Sequence, residues 1–331
     1  MPPTSAPSIA IIGGGISGPA LALSLKKHHG IISTIYELQP DGDERGVNIA
    51  LAANAVRVLQ HLGVYHELYK DGFSYEELRS QYGLPCLRTH RAKVQKALLK
   101  ELKAQGIVTY FGKKLVSLKE NEAIVEMQFE DGTTAGANFV IGADGVHSRV
   151  RDLIMDVKMD YSGFMGIIEM SVQKPMIHES INKITLPNFI FGKTGFVALM
   201  PSNYEGTEER FGKEWPEYVT RLDSAHAFTP QAGQGAAVGL EDAETLAYTL
   251  SRDGFINNHL HLLKIWEAHR KERLVLIKRL TDLNGRLRSP DTSVVQYMKE
   301  WAMWANFKWT GPRGGLEWLF SYNAEDILRL L

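Results

Sequence analysis

The sequence predicts an α/β protein in three parts: a Rossmann-like parallel-sheet domain, a second, smaller, mostly antiparallel sheet domain, and a C-terminal helical tail. Three observations predict it. A strand, a glycine turn, a helix and a second strand follow one another within residues 8–39, the makings of a right-handed βαβ unit. From about residue 160 short strands succeed one another without helices between them, as an antiparallel sheet allows. A long helical stretch from Leu260 and an aromatic-rich tail close the chain.

Taken in order, "SIAIIGGG" is a buried strand ending in a glycine turn, and "ISGPALALSLKKHHG" is a helix with Gly30 as its C-cap. "ISTIYELQP" is a β-branched strand that Pro40 closes. "NAVRVLQHLGVYHELYKDG" and "HRAKVQKALLKELKAQG" carry helical spacing. "TYFGKKLVSLKE", "AIVEMQFEDGTT" and "NFVIGADG" read as strands, with "EDGT" a hairpin turn. "FMGIIEMSV", "NKITLPNFIFG" and "GFVALMP" supply the second sheet, whereas "SNYEGTEERFGKEWPEYVTRL" reads as polar and turn-like. The expected division is a discontinuous first domain at 1–72, 90–158 and 215–285, a substrate-side sheet domain at 73–89 and 159–214, and a helical cap at 286–331.

Composition narrows the function. A formal net charge of -1 favours neither nucleic acid nor an acidic surface as the main partner. Cys86 is the single cysteine, so no intrachain disulfide and no cysteine metal site can form, which fits a reducing, cytoplasmic setting. No apolar run is long enough to span a bilayer. No cluster of histidines and carboxylates with metal-ligand spacing stands out, so no metal is expected.

Gly13, Gly15 and Gly18 form G-x-G-x-x-G between the first strand and the first helix. The first glycine allows the tight turn, the second admits a pyrophosphate against the backbone, and the third lets helix and strand pack. Free N–H groups at the helix start then face the phosphate charge. Glu37 closes the second strand 19 residues after Gly18, where a carboxylate accepts hydrogen bonds from ribose hydroxyls. This motif alone leaves NAD and FAD both open.

Two further motifs follow in order. "FVIGADGVHSRVR" ends a strand in Gly142, Ala143, Asp144 and Gly145, with Ser148, Arg149 and Arg151 beyond. "LDSAHAFTPQAGQGAAVGLEDAETLAYTL" carries Asp223, Pro230, Gly233, Gln234 and Gly235 ahead of a helix. With these three motifs the chain resembles, over nearly its whole length, the FAD-dependent aromatic hydroxylases, the single-component flavoprotein monooxygenases related to para-hydroxybenzoate hydroxylase, and especially their fungal secondary-metabolism branch.

The resemblance implies FAD as cofactor, NAD(P)H as transient electron donor, O2 as co-substrate and a small aromatic or polyketide/terpenoid-like molecule to be hydroxylated or epoxidised. It implies that Gly13, Gly15 and Gly18 cradle the pyrophosphate and that Glu37 holds the adenosine ribose. Arg91 would open its helix and reach the cofactor. Asp144 would belong to the motif associated with both FAD and the nicotinamide, and Asp223 would bond the ribityl chain. Pro230, Gly233, Gln234, Gly235 and Ala236 would line the isoalloxazine, with the helix from about Ala236 facing the anionic edge of the reduced ring. Arg45 and Asn48 stand where the family has an arginine and a glycine near the flavin. No general acid or base is assigned. His226 reads as a loop residue, and Arg270 and Arg273 as structural.

The pattern is broken in two places. Only 21 residues separate Pro201 from Asp223, where the family has several dozen more, and Leu222 stands where the family has glycine. A shortened relative that binds FAD with little or no hydroxylation is therefore the second hypothesis. A dehydrogenase using the first βαβ unit alone is the third, and it gives Asp144 and Asp223 no role. Trp301, Trp304, Trp309 and Trp318 are four of the six tryptophans; a cap over the domains is the preferred reading, and a membrane-facing or partner-binding patch the alternative.

Overall fold

The computed structural model describes residues 7–42, 47–75, 83–121, 124–155, 167–172, 188–192, 195–201, 208–213, 233–288, 292–310 and 315–331. Its central sheet is parallel, in the order β10 (Phe139–Gly142), β1 (Ile9–Ile12), β2 (Ser33–Tyr36), β6 (Thr109–Tyr110). All four residues of β1 are buried because both faces are covered. Ile9 and Ile11 face the helical layer: α1 (Ser17–His29), α2 (Ala53–Leu62), α4 (Arg91–Ala104) and α6 (Gly235–Leu250) bring Leu25, Leu59, Leu98 and Leu240 into the same core. Ala10 and Ile12 pack on the other side against Leu115, Met127 and Phe129 of an antiparallel sheet, β7 (Leu115–Glu120), β8 (Val125–Phe129) and β9 (Thr134–Ala137). The β8–β9 connection is the hairpin expected at "EDGT", with Gly132 at φ 81°.

Local chemistry explains the breaks. α1 ends at Gly30 in the left-handed region, as expected. The long helical stretch after β3 (Asn48–Leu51) is cut in two by Gly63 at φ 87°, giving α2 and α3 (Tyr65–Asp71). β4 (Phe73–Tyr75) and β5 (Cys86–His90) pair antiparallel and join β3 through Leu51 opposite Leu87, so residues 73–75 and 86–90 share a sheet with residues 48–51.

The second antiparallel sheet has the order β11 (Ile167–Val172), β14 (Glu208–Lys213), β13 (Gly195–Pro201), β12 (Asn188–Gly192). β14 corrects the sequence reading. "EERFGK" lies inside a stretch read as turn-like, yet it pairs with β11 on one side and β13 on the other. Its charged residues hid it, because backbone pairing on both edges does not need an apolar side-chain pattern.

α7 (Phe255–Arg288) runs long, with a non-helical Asn258. α5 (Arg149–Ile154) follows β10, and α8 (Ser293–Thr310), α9 (Glu317–Phe320) and a final 3-10 turn (Ala324–Arg329) complete the described elements. The cap expected at the C-terminus is present only in part. Leu319 packs with Val238 and Ile277, and Ile327 with Tyr248, but Trp301, Trp304 and Trp309 on α8 are 53, 53 and 92 % exposed.

His61 links α2 to α6 through Nδ1 and Glu244 Oε1 at 2.8 Å. That hydrogen bond holds the imidazole above its ordinary 6.5, against the pull of burial. The group is raised in the folded state, so its contribution is complete below the unfolded value and is lost as pH rises through the folded one. His28 and His29 are lowered by burial and act in the opposite sense. The stability difference between the wild type and His61→Gln should therefore be at most about 1 kcal/mol, largest in mild acid and gone in mild alkali. Denaturant titrations at both extremes check this; a difference that grows with pH would contradict it.

Candidate functional site

The glycine turn is built by backbone contacts that admit no side chain. Gly13 sits at φ +115°, and a Cβ there would lie 2.3 Å from the Ala143 carbonyl oxygen at the end of β10. A Cβ on Gly18 would lie 2.0 Å from the Gly13 carbonyl oxygen. Gly15 is different: its nearest neighbour is the Arg91 guanidinium, 3.3 Å from where a Cβ would stand. Arg91 thus projects from the start of α4 over the second glycine of the motif. Its own N–H donates to the Val47 carbonyl at 2.9 Å, and Asn48 is the register partner of His90 just before it. Arg91 is therefore a neighbour of the glycine turn, and Asn48 lies across the sheet from the residue before it.

Glu37 is buried at the end of β2. Its Oε2 accepts from the Gly14 N–H, and its Oε1 accepts from the Gln39 N–H at 2.7 Å. It also lines a cleft of about 550 Å³ with Gln39, Gln95, Lys96 and Thr109. The carboxylate thus fixes the glycine turn while remaining at the edge of an open cleft. Glu37→Ala removes the acceptor of two backbone donors, a loss of about 1.5–3 kcal/mol. The expected result is a lower melting temperature together with FAD affinity weaker by roughly ten- to a hundredfold. Unfolding of the apo protein and flavin titration read the two effects; unchanged values of both would contradict the assignment.

Asp144 follows Gly142 and Ala143 beyond the last parallel strand. Its Oδ1 accepts from Ser148 Oγ at 2.6 Å, and its Oδ2 from the N–H groups of Arg149 and Val150 at 2.6 and 3.2 Å. Ser148 Oγ accepts in turn from the Arg151 N–H at 3.0 Å. Asp144 therefore caps α5, an electrostatically matched place for a carboxylate. It holds the loop that Gly13 packs against.

On the far side of the turn, α6 starts at Gly235 after Gly233 at φ +63°, one residue earlier than expected. Its first turn holds no acid and no side-chain cap, so its own side chains do not offset the positive end of the helix dipole. Ser17, Ala143 and Gly235 line one cleft of about 330 Å³, which brings the ends of β10, α1 and α6 together. Gln234 and Ala236 flank Gly235 there. Arg45, Asp223 and Pro230, and with them Leu222 and His226, lie outside the described residues.

Two side chains that the motifs did not single out complete the site. Gln95 stands one turn beyond Arg91 on α4, and its Nε2 donates to the Gly14 carbonyl at 2.8 Å; the i, i+4 spacing was its only signal. Asn54, on α2, donates through Nδ2 to Gln234 Oε1 at 3.3 Å and to Glu241 Oε1 at 2.7 Å, while its Oδ1 is buried without a hydrogen-bond partner. Glu241 is fully buried and also accepts from Arg270 Nη2 at 2.9 Å and Arg273 Nη2 at 2.7 Å. Burial opposes its charge, but the two guanidinium groups and Asn54 outweigh that and hold the carboxyl below its usual range. Arg270 and Arg273 are structural, as the sequence suggested, and they tether Tyr322 Oη and the Trp318 and Leu319 carbonyls. Burial pushes the Cys86 thiol up to about 12, so it is no nucleophile at neutral pH.

Residues 7–213 match the FAD binding domain family. The chain belongs to that family. Its members by similarity include the 6-hydroxynicotinate 3-monooxygenase of Pseudomonas fluorescens, 25 % identical across 86 % of this chain and 93 % of the relative. The FAD-dependent monooxygenase nvfK of Aspergillus novofumigatus is 30 % identical across 86 % of this chain and 80 % of its own. Among solved structures, HpxO of Klebsiella pneumoniae, complexed with FAD and uric acid, superposes with a TM-score of 0.74 at 19 % identity, covering 97 % of this chain and 96 % of that one. The family's cofactor is FAD, and the turn fits it: Gly13 and Gly18 allow close packing against main-chain oxygen, Gly15 would meet only the Arg91 guanidinium, and Arg91 stands beside the turn as a cation suited to phosphate. The alignment with the Pseudomonas relative spans 365 positions, more than the 331 residues of this chain, so that relative carries segments absent here.

Proposed function

We propose that the chain is an FAD-dependent monooxygenase that uses NAD(P)H and O2 to hydroxylate or epoxidise an aromatic or polyketide/terpenoid-like small molecule. The observation that carries this reading is the glycine turn itself: Gly13 and Gly18 pack where a Cβ would strike main-chain oxygen, Arg91 stands over Gly15, and Glu37 accepts from the Gly14 N–H at the edge of an open cleft. The pyrophosphate of a dinucleotide needs such a glycine turn at a helix start, where backbone N–H groups can face its charge.

In this reading Gly13, Gly15 and Gly18 admit the pyrophosphate and Arg91 meets its charge. Glu37 receives the adenosine ribose, and Asn48 lies beside Arg91. Gly233, Gln234, Gly235 and Ala236 present backbone to the flavin ring, with Pro230 and Asp223 contributing from the preceding segment and Arg45 from the loop before Asn48. Asp144 keeps its loop in place against Gly13. FAD, when bound, supplies electron transfer from the nicotinamide and the activation of O2. The protein positions that ring, bears its charge and excludes water. Among the described residues no helix is long and apolar enough to cross a membrane, and we place the enzyme in the cytoplasm.

A second reading, an FAD-binding relative with weak hydroxylation, is favoured by the segments that the Pseudomonas relative has and this chain lacks. One experiment separates the two. The FAD-loaded protein is given NAD(P)H, O2 and a panel of hydroxybenzoates, hydroxypyridine carboxylates and prenylated phenols. A hydroxylated product formed in near-equal amount to the NAD(P)H consumed supports the first reading. Consumption that yields hydrogen peroxide with every compound supports the second.

A further inference from the structure

The aromatic face of α8 is not used by the fold or by the site. Val294, Tyr297, Met298, Trp301, Trp304 and Trp309 are 71, 62, 65, 53, 53 and 92 % exposed, and their spacing places them along one side of an 18-residue helix. The rings form a ladder. Tyr297 meets Trp301 with centroids 6.3 Å apart, Trp301 meets Trp304 edge-on at 5.3 Å, and the Lys308 ammonium lies 4.7 Å from the Trp304 ring centre. Lys299 points elsewhere: its Nζ donates to the Arg286 carbonyl at 3.0 Å, tying the helix to the end of α7.

We propose that this face is a membrane-surface anchor that lays α8 in the headgroup region of an anionic lipid leaflet. Three features select lipid over a protein groove. The side chains are mostly tryptophan and tyrosine, which carry a polar tip on an apolar ring and settle at the water–hydrocarbon boundary. A lysine stands inside the aromatic stripe, and the residues one turn before it, Trp304 and Ala305, are uncharged. At a bilayer the rings can sink while that ammonium reaches up to the phosphates, whereas a protein groove would have to supply a matching carboxylate inside an apolar contact. Residues 284–314 carry Arg286, Arg288, Lys299, Lys308 and Arg313 against Asp291 and Glu300, a surplus of three positive charges in a chain whose total is -1; a basic flank of this kind is drawn to anionic headgroups. The helix lies on the surface and does not cross it, since no described helix is long and apolar enough to span.

The test is co-sedimentation of the full FAD-loaded protein with vesicles of phosphatidylcholine alone and of phosphatidylcholine with phosphatidylserine. The wild type is expected to pellet with the mixed vesicles and only weakly with the neutral ones. Trp301→Ser/Trp304→Ser should lower partitioning by roughly tenfold or more, and Lys308→Glu should abolish the preference for phosphatidylserine. Trp309→Ser, at the most exposed ring, serves where the double variant loses its flavin. Absence of pelleting by flavin-loaded wild type would overturn the proposal, as would variants that bind as tightly as wild type. So would a wild-type dimer in sedimentation that the tryptophan variants dissociate, because a second copy would then cover the stripe.

Discussion

Replacing Glu241 by alanine should destabilise the protein by about 3–5 kcal/mol, a large share of the stability of an ordinary domain. The carboxylate is fully buried on α6 and is the shared partner of Arg270, Arg273 and Asn54. Without it Arg273 loses its acidic partner, and Arg270 keeps Asp242 at 2.6 Å and the Tyr322 hydroxyl at 2.8 Å. The Asn54 amide loses its shorter bond and keeps only the 3.3 Å contact with Gln234. The loss falls in the middle of α6 and loosens Asn54, which also holds Gln234 at the start of that helix, so FAD retention should weaken together with stability. Chemical denaturation of Glu241→Ala, with Glu241→Gln beside it, reads the effect. The glutamine keeps one acceptor but removes the charge, so it should fall between wild type and alanine. A stable alanine variant with full flavin would show that the network does not hold α6.

The second large effect belongs to the glycine turn. Gly13→Ala and Gly18→Ala should both abolish FAD binding, because each Cβ meets main-chain oxygen, which cannot swing aside as a side chain can. At Gly13 the positive φ adds about 1–3 kcal/mol before the overlap with Ala143 is counted. At Gly18 the backbone is ordinary, and the cost comes from parting α1 and β1 where the Gly13 carbonyl lies 2.0 Å from the new atom. Gly15→Ala is the control. Its Cβ would touch only the far end of Arg91, so that variant should fold normally and lose affinity by a smaller factor. Flavin fluorescence titration across the three variants gives the order; equal affinities at all three positions would refute the cradle.

The parts of this architecture that follow short-range rules were legible in the sequence. The βαβ unit, the Gly30 cap, the "EDGT" hairpin and the glycine cradle each rest on a few adjacent residues whose backbone preferences agree. Long-range pairings were not legible. The β3–β5–β4 sheet joins residues far apart in sequence, and β14 pairs on both edges without an apolar pattern. At the turn, Glu37 and the glycines stood out as a motif, but the hydrogen bonds that Glu37 accepts from the Gly14 and Gln39 N–H groups did not. Asn54 was invisible for the same reason: its partners, Gln234 and Glu241, lie 180 and 187 residues away. The tryptophans of α8 show the converse limit, since clustering in sequence said nothing about which way they face.

The measurement that bears most directly on the central claim is the flavin content of the purified protein. The account predicts a yellow protein, or a colourless one that becomes yellow with added FAD, whose flavin is released by acid and chromatographs as FAD. The same protein carrying Gly13→Ala should stay colourless at any FAD concentration that saturates the wild type. A wild-type protein that takes up no FAD, yet is protected from unfolding by NAD, would contradict the account.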